Sequence, residues 1–200
     1  MREAPHSPEH ADTIAAAHPL ARALIERLRP ERGARILEIG TGSGRNLRAL
    51  QAAGLSVTSI DDARAACRDG IDAAGDGFTA GLSTHALLHG DSNSLTVTMH
   101  SIALALRSGG YLYASFGSSR DPRFGRGDRI DEFTFAPTEG DERGVSHVYY
   151  DEQRLRALLE PYFEVESLEE HAVDRIAGSW AHREEPLSGA IHWFAVARRR

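Results

Sequence analysis

The sequence predicts an α/β domain: an open, mainly parallel twisted sheet with helices on both faces. Three observations carry this. Short apolar runs alternate along the chain with segments of helical periodicity. A glycine cluster stands between the first such run and the helix that follows it. The 200 residues, 41% of them hydrophobic, suit one domain with a substantial core. Right-handed crossovers over such a sheet put the ligand crevice at the carboxyl ends of the strands, at the switch point beside the first one.

Residues 1–10 contain two prolines and little apolar material and read as a loose tail. Residues 11–29 read as one helix, with Ile14, Leu20, Leu24, Ile25 and Leu28 near a helical period and Pro30 closing it. A strand at 34–40 ends in glycine, a helix follows at 45–53, and a second strand alternates over 55–61. Residues 62–77 are Ala-rich and broken by Gly70, Gly75 and Gly77. Next come a strand at 78–84, a helix at 92–107 ended by Gly109-Gly110, and a buried strand at 111–116. Residues 117–148 form a long insert rich in Gly, Arg and Asp, with one apolar patch at 133–135. A helix at 151–160, a strand at 162–168, a polar stretch and a last strand at 191–197 complete the chain. There is no internal repeat and no low-complexity tract.

Composition removes several function classes. The net charge of −6 gives no basic footprint for nucleic acid. All 23 basic residues are arginine, so neither a phosphate-loop lysine nor a Schiff-base amine is available. A single cysteine, Cys67, rules out an intramolecular disulfide and a multi-cysteine zinc site and suits a reducing compartment. No apolar run is long enough to span a membrane, and the polar N-terminus does not read as a secretory signal. A cytoplasmic protein is expected.

The sharpest local signal is E-I-G-T-G-S-G-R-N, from Glu38 to Asn46. Gly40, Gly42 and Gly44 permit a tight turn and let backbone approach a ligand, and the next helix offers free N–H groups. Asp61, nineteen residues beyond Gly42, ends the second strand, where a carboxylate can take both ribose hydroxyls. Together these point to a nucleoside-type ligand. Dinucleotide sites use G-x-G-x-x-G, whereas this chain has G-x-G-x-G preceded by Glu38. A carboxylate there suits the ammonium of an amino-acid ligand better than a pyrophosphate. A nicotinamide-dependent oxidoreductase is therefore the weaker alternative.

With Asp61, this loop resembles the cofactor loop of the class I S-adenosylmethionine-dependent methyltransferases, and the match runs from about residue 30 to the last strand. The resemblance implies a Rossmann-like sheet with an antiparallel last strand, and S-adenosyl-L-methionine as cofactor. It also implies that Glu38, Gly40, Thr41, Gly42 and Asn46 face the methionine part, that Asp61 and Asp62 face the ribose side, and that Ser83, Thr84 and His85 lie near the transferred methyl. The turn at 106–113 is similar to the family's usual entry into its fifth strand, and G-R-N resembles the small-molecule, tellurite-resistance type. The sequence departs from the family in one place. Residues 62–77 are too few for the usual helix, third strand and helix, so the third strand is expected to be shortened or missing. The adenine-contacting acid is then Asp69, Asp72, Asp76 or absent. A methyltransferase fold that has become a non-catalytic binding module is the alternative this compression suggests.

Methyl transfer from a sulfonium needs alignment in a dry pocket, and a base only where the acceptor is protonated. Histidine is the expected type of base. His85 follows the fourth of the family's strands, and His147 and Tyr149 stand at the far end of the insert. His85 and His89 have the i, i+4 spacing of metal ligands on a helix, but no third ligand is apparent and no metal is expected. Arg120, Arg123, Arg126 and Arg129 either pair with Asp121, Asp128 and Asp131 on a solvated loop or belong to a lid hinged at Gly125 and Gly127 that meets a small, anionic acceptor. Trp193 is read as core, while Trp180 stands in a polar loop.

Overall fold

The computed structural model describes residues 8–31, 33–60, 71–72, 74–176 and 188–200. Helix α1 (Pro8–Ala15) and helix α2 (Pro19–Leu28) replace the single helix expected over 11–29. Pro19 is the cause: it lacks an N–H and disfavours helical backbone before it, so it can only open a new helix. His18 caps that helix, its Nδ1 accepting the Leu20 N–H at 3.1 Å. Because α1 starts at Pro8, the expected loose tail is shortened at its C-terminal end.

Strand β1 (Arg35–Ile39), helix α3 (Arg45–Ala52) and strand β2 (Ser56–Ile60) form the first crossover. Strand β3 (Phe78–Ser83) lies parallel to β1 on its other side. Helix α4 (Ser92–Ala105) then leads directly into β4 (Leu106–Ser118). Gly109 and Gly110 thus do not cap the helix; they lie inside the strand, where the register against β3 shifts between Phe78 and Ala80. A Cβ on Gly110 would come within 3.0 Å of the Thr79 carbonyl, so this irregular pairing requires glycine.

The insert is not bare loop. Short strands β5 (Asp128–Arg129), β6 (Thr134–Ala136) and β7 (His147–Tyr150) form an antiparallel ribbon, and β7 runs parallel to the end of β4. Helix α5 (Glu152–Leu159), strand β8 (Phe163–Ala172) and strand β9 (Ile191–Arg199) follow. β9 pairs antiparallel with both β4 and β8, as the resemblance implied. Among the described residues the main sheet reads β2-β1-β3-β4-β9-β8, with the ribbon beyond the carboxyl end of β4. β2 is its edge, which agrees with a missing third strand, although residues 61–70 lie outside the described set.

Alternation sorts the strand residues into two cores. Leu37, Ile39, Leu112, Ala114 and Phe116 pack with α4 and α5, whereas Ile36, Ala80, Leu82 and Tyr113 pack with α2 and α3. Trp193 is core, as expected, its Nε1 donating to the Tyr150 carbonyl at 2.9 Å. Among the described residues no helix is long and apolar enough to cross a membrane.

Candidate active site

The carboxyl ends of β1, β3 and β4 converge, and the chemistry-bearing residues gather there. Gly40, Gly42 and Gly44 all have positive φ, at 80°, 52° and 73°. Such backbone is natural only to glycine. The loop is tied down by the Gly40 N–H, which donates to the Ile60 carbonyl at 2.7 Å, and the Gly44 N–H, which donates to Thr41 at 2.9 Å. Gly40 also passes so close to the turn after β3 that a Cβ would stand 2.5 Å from that of Ala86. Glu38 is buried and accepts a 2.8 Å hydrogen bond from the Ser59 hydroxyl on β2.

The residues after β3 are held from both sides. Ser83 Oγ donates to the Ile39 carbonyl at 3.2 Å. Asn46, at the start of α3, donates through Nδ2 to Thr84 Oγ1 at 2.9 Å and accepts the His18 N–H through Oδ1 at 3.0 Å. One buried carboxamide therefore clamps the start of α2 to the end of β3. His85 follows with φ +66°, the left-handed region that a non-glycine residue enters only at a cost. Its N–H donates to Ser115 Oγ on β4 at 2.9 Å.

Around His85 stand two further imidazoles, His18 at 5.7 Å and His192 at 5.1 Å between ring centres. Burial pushes both His18 and His192 well below the ordinary imidazole pKa, and the neighbouring His85 adds to the effect. Both are therefore neutral near pH 7. With Nδ1 of His18 accepting from Leu20, its proton sits on Nε2, a buried donor without a partner among the described residues. Sequence reading missed this pair. The only signal for His18 was its place before a proline, and for His192 its place on the last strand.

A model of the family described as "Methyltransferase domain" matches residues 14–168. The chain belongs to the methyltransferase family. It is a class I S-adenosylmethionine-dependent methyltransferase with S-adenosyl-L-methionine as its cofactor. A methyltransferase from Methanosarcina mazei shares the fold at 18% identity and a TM-score of 0.67, with 91% of this chain and 97% of that one covered. The 1,6-didemethyltoxoflavin-N1-methyltransferase of Burkholderia thailandensis, solved with 1,6-didemethyltoxoflavin and S-adenosylhomocysteine, is 18% identical at a TM-score of 0.59, with 100% and 92% covered. CcbJ of Streptomyces caelestis is 14% identical at a TM-score of 0.58, covering 94% and 98%. No curated protein sequence matches the chain. The nicotinamide alternative gives way to this membership.

The glycine loop of the methyltransferase fits its cofactor. Three positive-φ glycines at alternate positions clear side chains from the cradle, and the Thr41 hydroxyl is buried there with no partner among the described residues. Ser83, Thr84 and Asn46, by contrast, spend polar atoms on one another and on backbone, which fixes the end of β3 against the start of α3. Asp61, Asp62, Asp69, Trp180 and the segment around them lie outside the described residues. Asp72 and Asp76 are described and exposed.

His85 and His89 do not share a helix face. Only a three-residue 3-10 turn, Ala86–Leu88, separates them, and His89 turns toward the insert, its ring 4.9 Å from that of His147. His147 is buried, its Nδ1 bonded to the Val145 carbonyl at 2.8 Å. Tyr149 packs with Phe124 and Phe135, and burial pushes its hydroxyl up to about 12. Of the expected arginine–aspartate pairs in the insert, Arg123 with Asp121 is present at 2.5 Å, and Asp121 is fully buried. Arg120 instead reaches Glu170 on β8 at 2.7 Å. Asp131 accepts backbone N–H groups of Phe133 and Ser92 rather than an arginine. Gly127 has positive φ and lies so close to Ala136 that a Cβ there would strike its carbonyl.

Proposed function

We propose that this enzyme methylates a small-molecule acceptor by in-line displacement, with His85 as the group that faces the acceptor. One observation carries the reading: His85 is the non-glycine residue with positive φ among those described, and it stands where the glycine loop, β3 and β4 meet. Strained backbone of this kind persists where surrounding structure over-determines it, and it clusters at functional sites. That a 1,6-didemethyltoxoflavin-N1-methyltransferase shares the fold at 18% identity supports a small acceptor.

When bound, S-adenosylmethionine supplies an electrophilic methyl on a sulfonium. Glu38 gives the cradle a carboxylate for the amino end of the cofactor, and the N–H groups at the start of α3 suit its carboxylate end. Asp61 and Asp62 take the ribose side. Asn46 fixes Thr84 and His18, so the wall opposite the loop keeps its shape. His85 takes the proton of an acceptor that carries one, and His18 Nε2 donates a hydrogen bond into the same chamber. The neutral state of His18 and His192 keeps cationic charge away from a site meant to accept a proton. His147 and Tyr149 form the insert side of the crevice, where β7 meets the end of β4, and Tyr149 serves there as a hydrogen-bond donor rather than a base. The insert's arginines favour an anionic acceptor. The lone cysteine and the acidic charge balance favour a cytoplasmic enzyme.

Calorimetry with S-adenosylhomocysteine tests the cradle. One equivalent should bind, and Asp61→Ala should weaken it by roughly 1–3 kcal/mol, the worth of charge-assisted hydrogen bonds. A labelled-methyl assay on whole-cell extract, fractionated by size after the reaction, then tests the acceptor class, and label should run with the small molecules. Label found in protein or nucleic acid instead would overturn the small-molecule reading.

A further inference from the structure

Outside the glycine loop, three side chains from distant parts of the chain meet: His89 after the 3-10 turn, Glu142 in the insert, and His147 at the start of β7. Their nearest donor atoms all lie within 4.8 Å of one another. We propose that His89, Glu142 and His147 bind one divalent cation of the zinc class, which pins the insert to the turn after β3.

The geometry of His147 is the main argument. A carbonyl oxygen only accepts, so the 2.8 Å contact with Val145 commits Nδ1 as a donor and leaves Nε2 as the ring atom that faces Glu142. A carboxylate oxygen of Glu142 stands 3.5 Å from that Nε2. With ligand bonds of about 2.0–2.2 Å, the edge of a tetrahedron is about 3.3–3.6 Å, so one cation can bridge the two atoms at this separation.

Other features agree. Metal-binding histidines commonly donate their second ring N–H to a carbonyl, which fixes both tautomer and orientation, and His147 does so to Val145. The rings of His89 and His147 meet edge to face at 75°, with their centres 4.9 Å apart. Their backbones are already in register through an isolated antiparallel bridge, and the Gly90 N–H donates to the Ser146 carbonyl at 3.0 Å. Glu142 is held by its own turn, with the Val145 N–H donating to its carbonyl at 2.9 Å. Its side chain keeps 37% exposure, which leaves an entry path, while that of His147 keeps 6%. Two imidazoles and one carboxylate suit a borderline cation, and three protein ligands leave a fourth position open.

The test uses the full chain, stripped with a chelator and titrated with Zn²⁺ by calorimetry and with Co²⁺ by visible absorption. The expected result is one tight equivalent, with the intense d–d bands of a low-coordinate cobalt site. His89→Ala, Glu142→Gln and His147→Ala should each weaken binding about 10-fold or more, while His100→Ala leaves it unchanged. Affinity for S-adenosylhomocysteine and the circular dichroism spectrum, measured on each variant, report separately on the cradle and the fold. Should His147→Ala fail to fold, Glu142→Gln and His89→Ala still decide the matter. No stoichiometric binding by the parent chain, or full affinity in His89→Ala and Glu142→Gln, would overturn the site and would mark His147–Glu142 as an ion pair. The methyl-transfer reading stands or falls on other measurements.

Discussion

His85 sits at φ +66° with its N–H fixed by Ser115 and its ring between His18 and His192. Left-handed backbone costs a non-glycine residue about 1–3 kcal/mol, least for asparagine, which tolerates that region. Fold and function can therefore be separated at this position. His85→Asn should lie within about 1 kcal/mol of the parent in thermal unfolding, and His85→Ala should be less stable than His85→Asn. If the imidazole takes the acceptor's proton, both variants should lose about 10²-fold or more in turnover, with binding of S-adenosylhomocysteine kept. Turnover retained in both would make the ring mere lining. Asn46 acts through others, so Asn46→Ala should loosen His18 and Thr84 together and cost about 1–3 kcal/mol, the desolvation penalty of the groups left unpaired. A denaturant titration checks this, and a cost near zero would show that the clamp is replaced by water.

At the level of elements, the glycine loop was legible because its backbone admits almost no other residue. At Gly40, φ is +80° and the gap to Ala86 is too small for a Cβ, so the residue type itself records the turn. Gly40→Ala should accordingly destabilise the fold by about 1–3 kcal/mol and weaken S-adenosylhomocysteine binding, as read by thermal shift with and without the ligand. Both effects absent would mean that the 3-10 turn shifts freely. What could not be read were partners distant in sequence. Nothing near His18 announces that Asn46, twenty-eight residues on, will hold its backbone. The helical spacing of His85 and His89 carried no information, because a three-residue turn sends the two rings to different neighbours. The insert read as loop because its strands are only two to four residues long, and a buried carboxylate that helps to order it has its partners far apart in sequence. Asp121 accepts from Arg123 Nε at 2.7 Å and from the Ile191 N–H at 2.8 Å, which ties the insert to β9. Asp121→Ala should cost about 2–4 kcal/mol, somewhat under the usual range for a broken buried pair because the Arg123 side chain is 26% exposed. Adding Arg123→Met should restore part of the loss, and a loss below about 1 kcal/mol would make the pair no stronger than a surface bridge.

Across the whole molecule, the buried neutral histidines couple the fold to pH. His18 lies where α2, α3 and β3 meet, and His192 lies on the strand that joins the two halves of the sheet. Burial lowers both pKa values well below 6.5, the value each ring regains on unfolding. Between the folded and unfolded pKa values the unfolded chain therefore binds more protons than the native one, and stability rises with pH there. Above pH 6.5 neither state is protonated at these rings, so their contribution is fully present and flat. As pH falls below that point it is lost, by up to about 1.4 kcal/mol per pH unit for each ring. Melting temperatures measured in chelator from pH 7.5 to 5 should thus hold level and then fall, before the ordinary carboxylates begin to titrate. His18→Asn keeps a residue suited to capping α2 and removes one titrating ring, so its curve should fall about half as steeply below pH 6.5. An unaltered slope would show that the proton uptake belongs to other groups, and a parent curve flat down to pH 5 would mean that water reaches these rings in the native state.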